Sequence, residues 1–188
     1  SQAENAQLDL ETKEMLITGI DQITLSDSQQ VKLFPKNGFL RVQKNRNMQM
    51  DGTIIAGSVD FAGTDFDFQY APFYIGLDSV DQMKVYILED GDKEKNKLIP
   101  ISTLIRSVSG TLYIDDANNK SGLKDFPSYP RFESKGNSYL FYDDKSIYNG
   151  AYKRDIFHFK LDPFKFPDLD EITPDLLTFP GTMITGDI

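Results

Sequence analysis

Between Thr53 and Tyr70 the chain alternates with period two: Val59 and Phe61 are separated by polar residues, and then Phe66, Phe68 and Tyr70 alternate with Asp65, Asp67 and Gln69. Side chains two apart share one face of a strand, so this stretch predicts a ribbon with an aromatic side and an acidic or amide side. A helix would scatter the same residues around its circumference. The aromatic side must pack inward, and Gly57 and Gly63 fall where such a ribbon would bend or bulge.

The rest of the chain repeats the theme in shorter pieces. Leu8 to Leu33 holds brief apolar runs broken by Thr18, Gly19, Ser26, Asp27 and Ser28, which is turn chemistry, so short strands are expected there. The competing reading is a helix from Glu4 to Leu16. Phe34 to Gly38 reads as a hairpin turn ahead of Phe39, Leu40 and Val42. A further apolar run, Met83 to Leu88, closes before the charged turn 89–97, where the single domain spanning 1–188 could subdivide near 90–98. Leu98 to Asp115 is strand-like, with a break expected at Ser109 and Gly110. Asp115 to Tyr129 reads as a loop or a single helical turn, and Tyr139 to Tyr142 and Ile156 to Leu161 as two more strands, so a β-meander is the natural picture. The proline-rich tail from Pro163 to Pro180 predicts one short helix around Pro174 to Leu177, started by Asp170 or Thr173, with strand returning at Thr182 to Ile184.

One weak repeat is visible. Gly52, Thr53, Ile54 is echoed by Gly110, Thr111, Leu112 and by Gly181, Thr182, Met183, at unequal intervals that do not fit a regular solenoid. The aromatic residues are 14 Phe and 9 Tyr with no Trp, rings that suit half-buried pleated surfaces. The expected fold is therefore all-β: a β-sandwich or an elongated, open β-roll of short antiparallel strands, with at most one or two short helices.

Composition narrows the function. A net charge of −9 argues against tracking a phosphate backbone, so no nucleic-acid partner is expected. No apolar run reaches the length of about eighteen residues that a membrane-spanning helix needs. There is no Cys and one His, so a disulfide framework is excluded and a zinc site of His and Cys ligands cannot be assembled. Neither a phosphate-cradling glycine loop nor a nucleophile elbow occurs, and no cofactor is expected. His158, between Phe157 and Phe159, should face away from both rings if it sits on a strand. A pair among the 29 acids could serve an acid-based hydrolase, although no catalytic residue can be singled out.

Two weaker candidates remain. Tyr129, Tyr139, Tyr142, Tyr148 and Tyr152, with Phe132 and Phe141, form a dense aromatic set that would suit ligand binding if the rings shared one exposed concave face. Asp115, Asp116, Asn118 and Asn119, followed by Gly122, form an oxygen-rich loop that could hold calcium, but it lacks the EF-hand spacing and equally fits an ordinary Asx-rich turn.

The segments at 110–123 (GTLYIDDANNKSGL) and 129–164 (YPRFESKGNSYLFYDDKSIYNGAYKRDIFHFKLDPF) resemble internal stretches of very large, uncharacterised β-rich cell-envelope or secreted proteins of Bacteroidota. The resemblance implies an envelope or extracellular location and a module inside a longer chain. A start at Ser1 and an end at Ile188 in strand-like sequence lead to the same expectation. The functional expectation is thus a non-catalytic structural or interaction module whose partners are adjoining domains of its parent chain or another protein. The alternative is a glycan-, lipid- or peptide-binding module with an aromatic-lined face, and the acid-based hydrolase ranks below both.

Overall fold

The computed structural model describes residues 5–88, 98–101, 103–124, 126–143, 145 and 148–186. The charged turn expected at 89–97 lies outside them. Among the described residues fifteen strands form one open antiparallel sheet. In chain order they are β1 (Asn5–Leu8), β2 (Met15–Thr18), β3 (Ile23–Ser26), β4 (Val31–Pro35), β5 (Leu40–Val42), β6 (Met48–Ala56), β7 (Val59–Gln69) and β8 (Tyr74–Leu88). The second half comprises β9 (Leu98–Pro100), β10 (Ile105–Tyr113), β11 (Arg131–Ser134), β12 (Ser138–Phe141), β13 (Phe157–Leu161), β14 (Lys165–Phe166) and β15 (Gly181–Thr185). Among the described residues helix is confined to single 3-10 turns at Lys36–Gly38, Tyr148–Gly150 and Pro174–Leu177. The all-β expectation and its meander are therefore met, and the helix considered for Glu4 to Leu16 gives way to β1 and β2.

The number of strands hides a simpler plan. Several consecutive short strands are two segments of one interrupted line. β4 and β5 both lie antiparallel along β6, and β2 and β3 lie along β5 and β4 in turn. The expected hairpin at Phe34 to Gly38 is thus a correction. Asn37 (φ 55°) and Gly38 (φ 68°) make a 3-10 jog, after which the chain carries on in the same direction. The jog is stable because Ile20 N–H, at the neighbouring break, donates to the Gly38 carbonyl at 3.1 Å. In the second half β11 and β12 run along β10, while β14 and β13 run along β11 and β12.

The break expected at Ser109 and Gly110 is a second correction. β10 continues through it with only a register shift between Val108 and Gly110, and strand β9 ends earlier, at Pro100, before β10 begins at Ile105. A bulge keeps the chain extended while advancing the pairing by one residue, so the turn-like dipeptide does not end the strand.

The central ribbon behaves as its alternation predicts. Val59, Phe61, Phe66 and Phe68 are buried, and the odd-to-even switch between Phe61 and Phe66 falls at the register shift after Ala62, with Asp65 at positive φ. The inward face curls on itself so that strands remote in sequence share one core. Phe61 of β7 meets Phe132 of β11 with ring centroids 5.1 Å apart. The proline-rich tail completes this core. Leu169 is fully buried, its N–H donates to the Pro130 carbonyl at 2.8 Å, and its own carbonyl accepts the Ser58 N–H at 2.7 Å. Phe179 from the same tail packs edge-on against Phe164 at 4.9 Å. The tail therefore works as a strap that ties the β6–β7 turn to the start of β11. The short helix foreseen at Pro174 to Leu177 is present as a 3-10 turn with Thr173 at its N-cap position, without a side-chain cap bond.

Candidate binding surfaces

The candidate tyrosines do not converge on one concave face. Strand geometry separates them, because neighbours in sequence project to opposite sides. Tyr139 and Phe141 lie on the outer face of β12, rings 16° from parallel and 6.0 Å apart. His158 pairs with Phe141 across to β13 and stands 5.7 Å from both rings. Its Nδ1–H donates to the Arg154 carbonyl at 2.9 Å. The Arg154 guanidinium covers Phe141 at 4.4 Å and pairs with Asp143 at 2.9 Å. His158 thus faces away from Phe157 and Phe159, as its strand position requires, and sits in an aromatic and cationic setting.

Tyr142 and Tyr152 gather elsewhere, around Phe157, at 5.6 and 4.5 Å. Tyr129 belongs to a third group. The Arg131 guanidinium lies between it and Tyr113, 5.2 and 4.6 Å from the two rings, and Tyr113 in turn meets Tyr74 at 6.1 Å. The side chain of Tyr148 lies outside the described residues, and Phe132 is buried in the core.

The acidic loop is held together by its own N–H groups. Asp115, 2% exposed, accepts the Asp116 N–H at 2.7 Å on one oxygen and Asn119 Nδ2 at 2.9 Å on the other. Asp116 accepts the Asn118 N–H at 2.8 Å. Asn119, 4% exposed, donates to the Lys124 carbonyl at 2.6 Å and accepts the Lys124 N–H at 3.1 Å. This is the pattern of an Asx-rich turn, in which short polar side chains stand in for backbone partners. Among the described residues no three His, Cys, Asp or Glu side chains come together as a metal-binding group. Of the carboxylates, Asp51 and Asp65 share a shallow depression of about 240 Å³ with Phe39 and Arg41, and Asp51 accepts the Asp65 N–H at 3.0 Å.

Sequence inspection passed over Arg106 and Lys160. Arg106 is the register partner of Tyr139 on one side and Lys160 on the other, which sets a cation on each flank of that ring. Nothing local signals this, because the three residues come from three strands and meet only through pairing.

These features define an all-β protein built on a single open antiparallel meander, with a mixed aromatic and cationic outer face. Compared with protein-family models, curated proteins and solved structures, the chain matches none.

Proposed function

We propose that the chain is a non-catalytic structural module that joins a larger cell-envelope or extracellular assembly by extending its own sheet. The observation that supports this reading is the pair of unpaired edges on one meander: among the described residues β1 pairs only with β2, and β15 only with β13. Both edge strands are largely exposed. An edge of this kind presents a row of free N–H and C=O groups that another strand can complete, with the backbone supplying affinity. The fitting partners are an adjoining part of a longer chain or another protein offering an extended segment. No helix among the described residues is long and apolar enough to cross a membrane.

Two measurements test the reading. In the isolated chain, the amides of β15 that point away from β13 are expected to exchange freely while their neighbours stay protected. Uniform protection along 181–185 would mean that the edge is already covered, and the reading would fall. In the cells that make the protein, a photoactivatable side chain at Thr182 is expected to capture a strand-forming segment. The same probe at Gln82, whose strand is paired on both sides, should not.

A further inference from the structure

The outer face carries one unbroken cross-strand row. Thr53, Ala62, Gln82, Arg106, Tyr139 and Lys160 are successive register partners through β6, β7, β8, β10, β12 and β13. All six project away from the core, since their chain neighbours Ile54, Phe61, Met83, Ile105, Ser138 and Leu161 are the buried ones. Phe34 and Thr182 continue the row at its two ends. Eight strands at about 4.8 Å spacing make it ~34 Å long, enough for an extended polymer lying across the strands.

The two halves of the row offer complementary features. Over β6 to β8 the small side chains Thr53 and Ala62 floor a groove of about 510 Å³, which Pro100 at the end of β9 and Leu104 just before β10 help to wall. Over β12 and β13 the half-exposed Tyr139 ring stacks near-parallel with Phe141, which the Arg154 guanidinium covers. Cations line both halves. Lys84 lies in the groove, Arg106 and Lys160 flank Tyr139, and Arg154 covers Phe141. Asp60 lines the same groove as Lys84 and accepts the Tyr86 hydroxyl at 2.6 Å, and Asp143 pairs with Arg154, so the excess positive charge of the strip rests on Arg106 and Lys160. A cation-rich strip on a chain of net charge −9 is a local reversal of sign.

We infer that this row binds an acidic polysaccharide, a chain of carboxylate- or sulfate-bearing sugar rings laid perpendicular to the strands. The apolar face of a sugar ring packs against the half-exposed Tyr139 ring, and its acid groups match the Arg106 guanidinium and the Lys160 ammonium on either side of it. A peptide added as a strand would need unpaired backbone, and within the row the ladder has already used it. Polyphosphate has no ring to lay against Tyr139. The inference does not depend on the sheet edges, so it stands or falls separately from the proposed structural role.

The test is affinity electrophoresis and calorimetry of the intact chain with polygalacturonate, against neutral dextran, polyglutamate and oligothymidylate. Polygalacturonate is expected to retard the protein and dextran not to. Arg106→Ala combined with Lys160→Ala is expected to weaken binding about tenfold or more, Tyr139→Ala to weaken it similarly, and Tyr139→Phe to retain it. Lys160→Gln alone keeps the test open should the double variant unfold, and it too must weaken binding. Absence of retardation by polygalacturonate, equal binding of polyglutamate or oligothymidylate, or indifference to the charge substitutions in folded variants would each overturn the inference.

Discussion

The ring of Phe132 lies over Gly110 on the adjacent strand, so close that a Cβ built on Gly110 would sit 2.7 Å from the ring and 2.3 Å from the Glu133 carbonyl oxygen. Gly181 stands in the same relation to Phe159, at 2.7 Å, and to the Lys160 carbonyl, at 2.3 Å. A Cβ built on Gly52 would sit 2.2 Å from the Phe34 carbonyl oxygen. Each glycine pairs with the last residue of a strand segment before its line is interrupted: Ser134, Leu161 and Pro35 respectively. The threefold Gly-Thr echo therefore marks one recurring structural event, a neighbouring backbone bending onto the sheet where only glycine leaves room. In two cases a ring fills the space above it.

Gly110→Ala is expected to cost about 2–3 kcal/mol, since both the carbonyl and the ring would have to move in a packed interior. Gly76→Ala provides the contrast. Its Cβ would meet nothing nearer than the Asp67 carbonyl at 3.7 Å, so the expected change is within about 0.5 kcal/mol. Urea denaturation of the two variants measures the difference, and equal effects would contradict the close approach at Gly110.

Leu169→Ala should loosen the strap. Its side chain is fully buried, and truncation of a buried Leu costs about 2–5 kcal/mol, depending on how far the site collapses. Leu123, 87% exposed, serves as the control, with an expected change within about 0.5 kcal/mol on truncation. Thermal unfolding and limited proteolysis between 167 and 180 report the result. A Leu169 variant as stable as the Leu123 variant would show that the strap does not hold the core.

Alkaline stability should depend on Tyr86. Burial, and then the hydrogen bond to Asp60, push its hydroxyl above the usual value of 10.0. The folded state therefore holds the proton more tightly than the unfolded one. That contribution is complete below the unfolded value and is lost as pH rises toward and through the folded one. Tyr86→Phe is expected to flatten the fall in stability above pH 10.0, seen as a shallower slope of melting temperature against pH. An unchanged slope would remove Tyr86 as its source.

Period-two alternation made the sheet legible from sequence alone. It depends only on which residues are apolar and on the two-residue repeat of a strand, so Val59 to Phe68, the strands around Tyr139 and Phe159, and the return at Thr182 could all be read locally. The strap's short turn at Pro174 was legible for a similar reason, because proline pre-sets the backbone of a first helical turn. The apolar positions of Ile75, Leu77 and Val80 also carried the signal of β8, but their phase slips by one residue and blurs it.

Pairing decided the rest. Phe34 to Gly38 has the composition of a hairpin turn, yet the chain runs straight on because β6 offers both segments a single edge. Ser109 and Gly110 look like a break, yet they stay paired between two strands, opposite a bulge whose extra residue is on β8. Tyr139 and Tyr142 are near in sequence but face opposite ways, while Arg106, Tyr139 and Lys160 are far apart in sequence and become neighbours by register. Alternation tells which residues turn inward, because that is a property of each segment. It does not tell which strands adjoin, since that choice is made by the free energy of closing the whole sheet around one core.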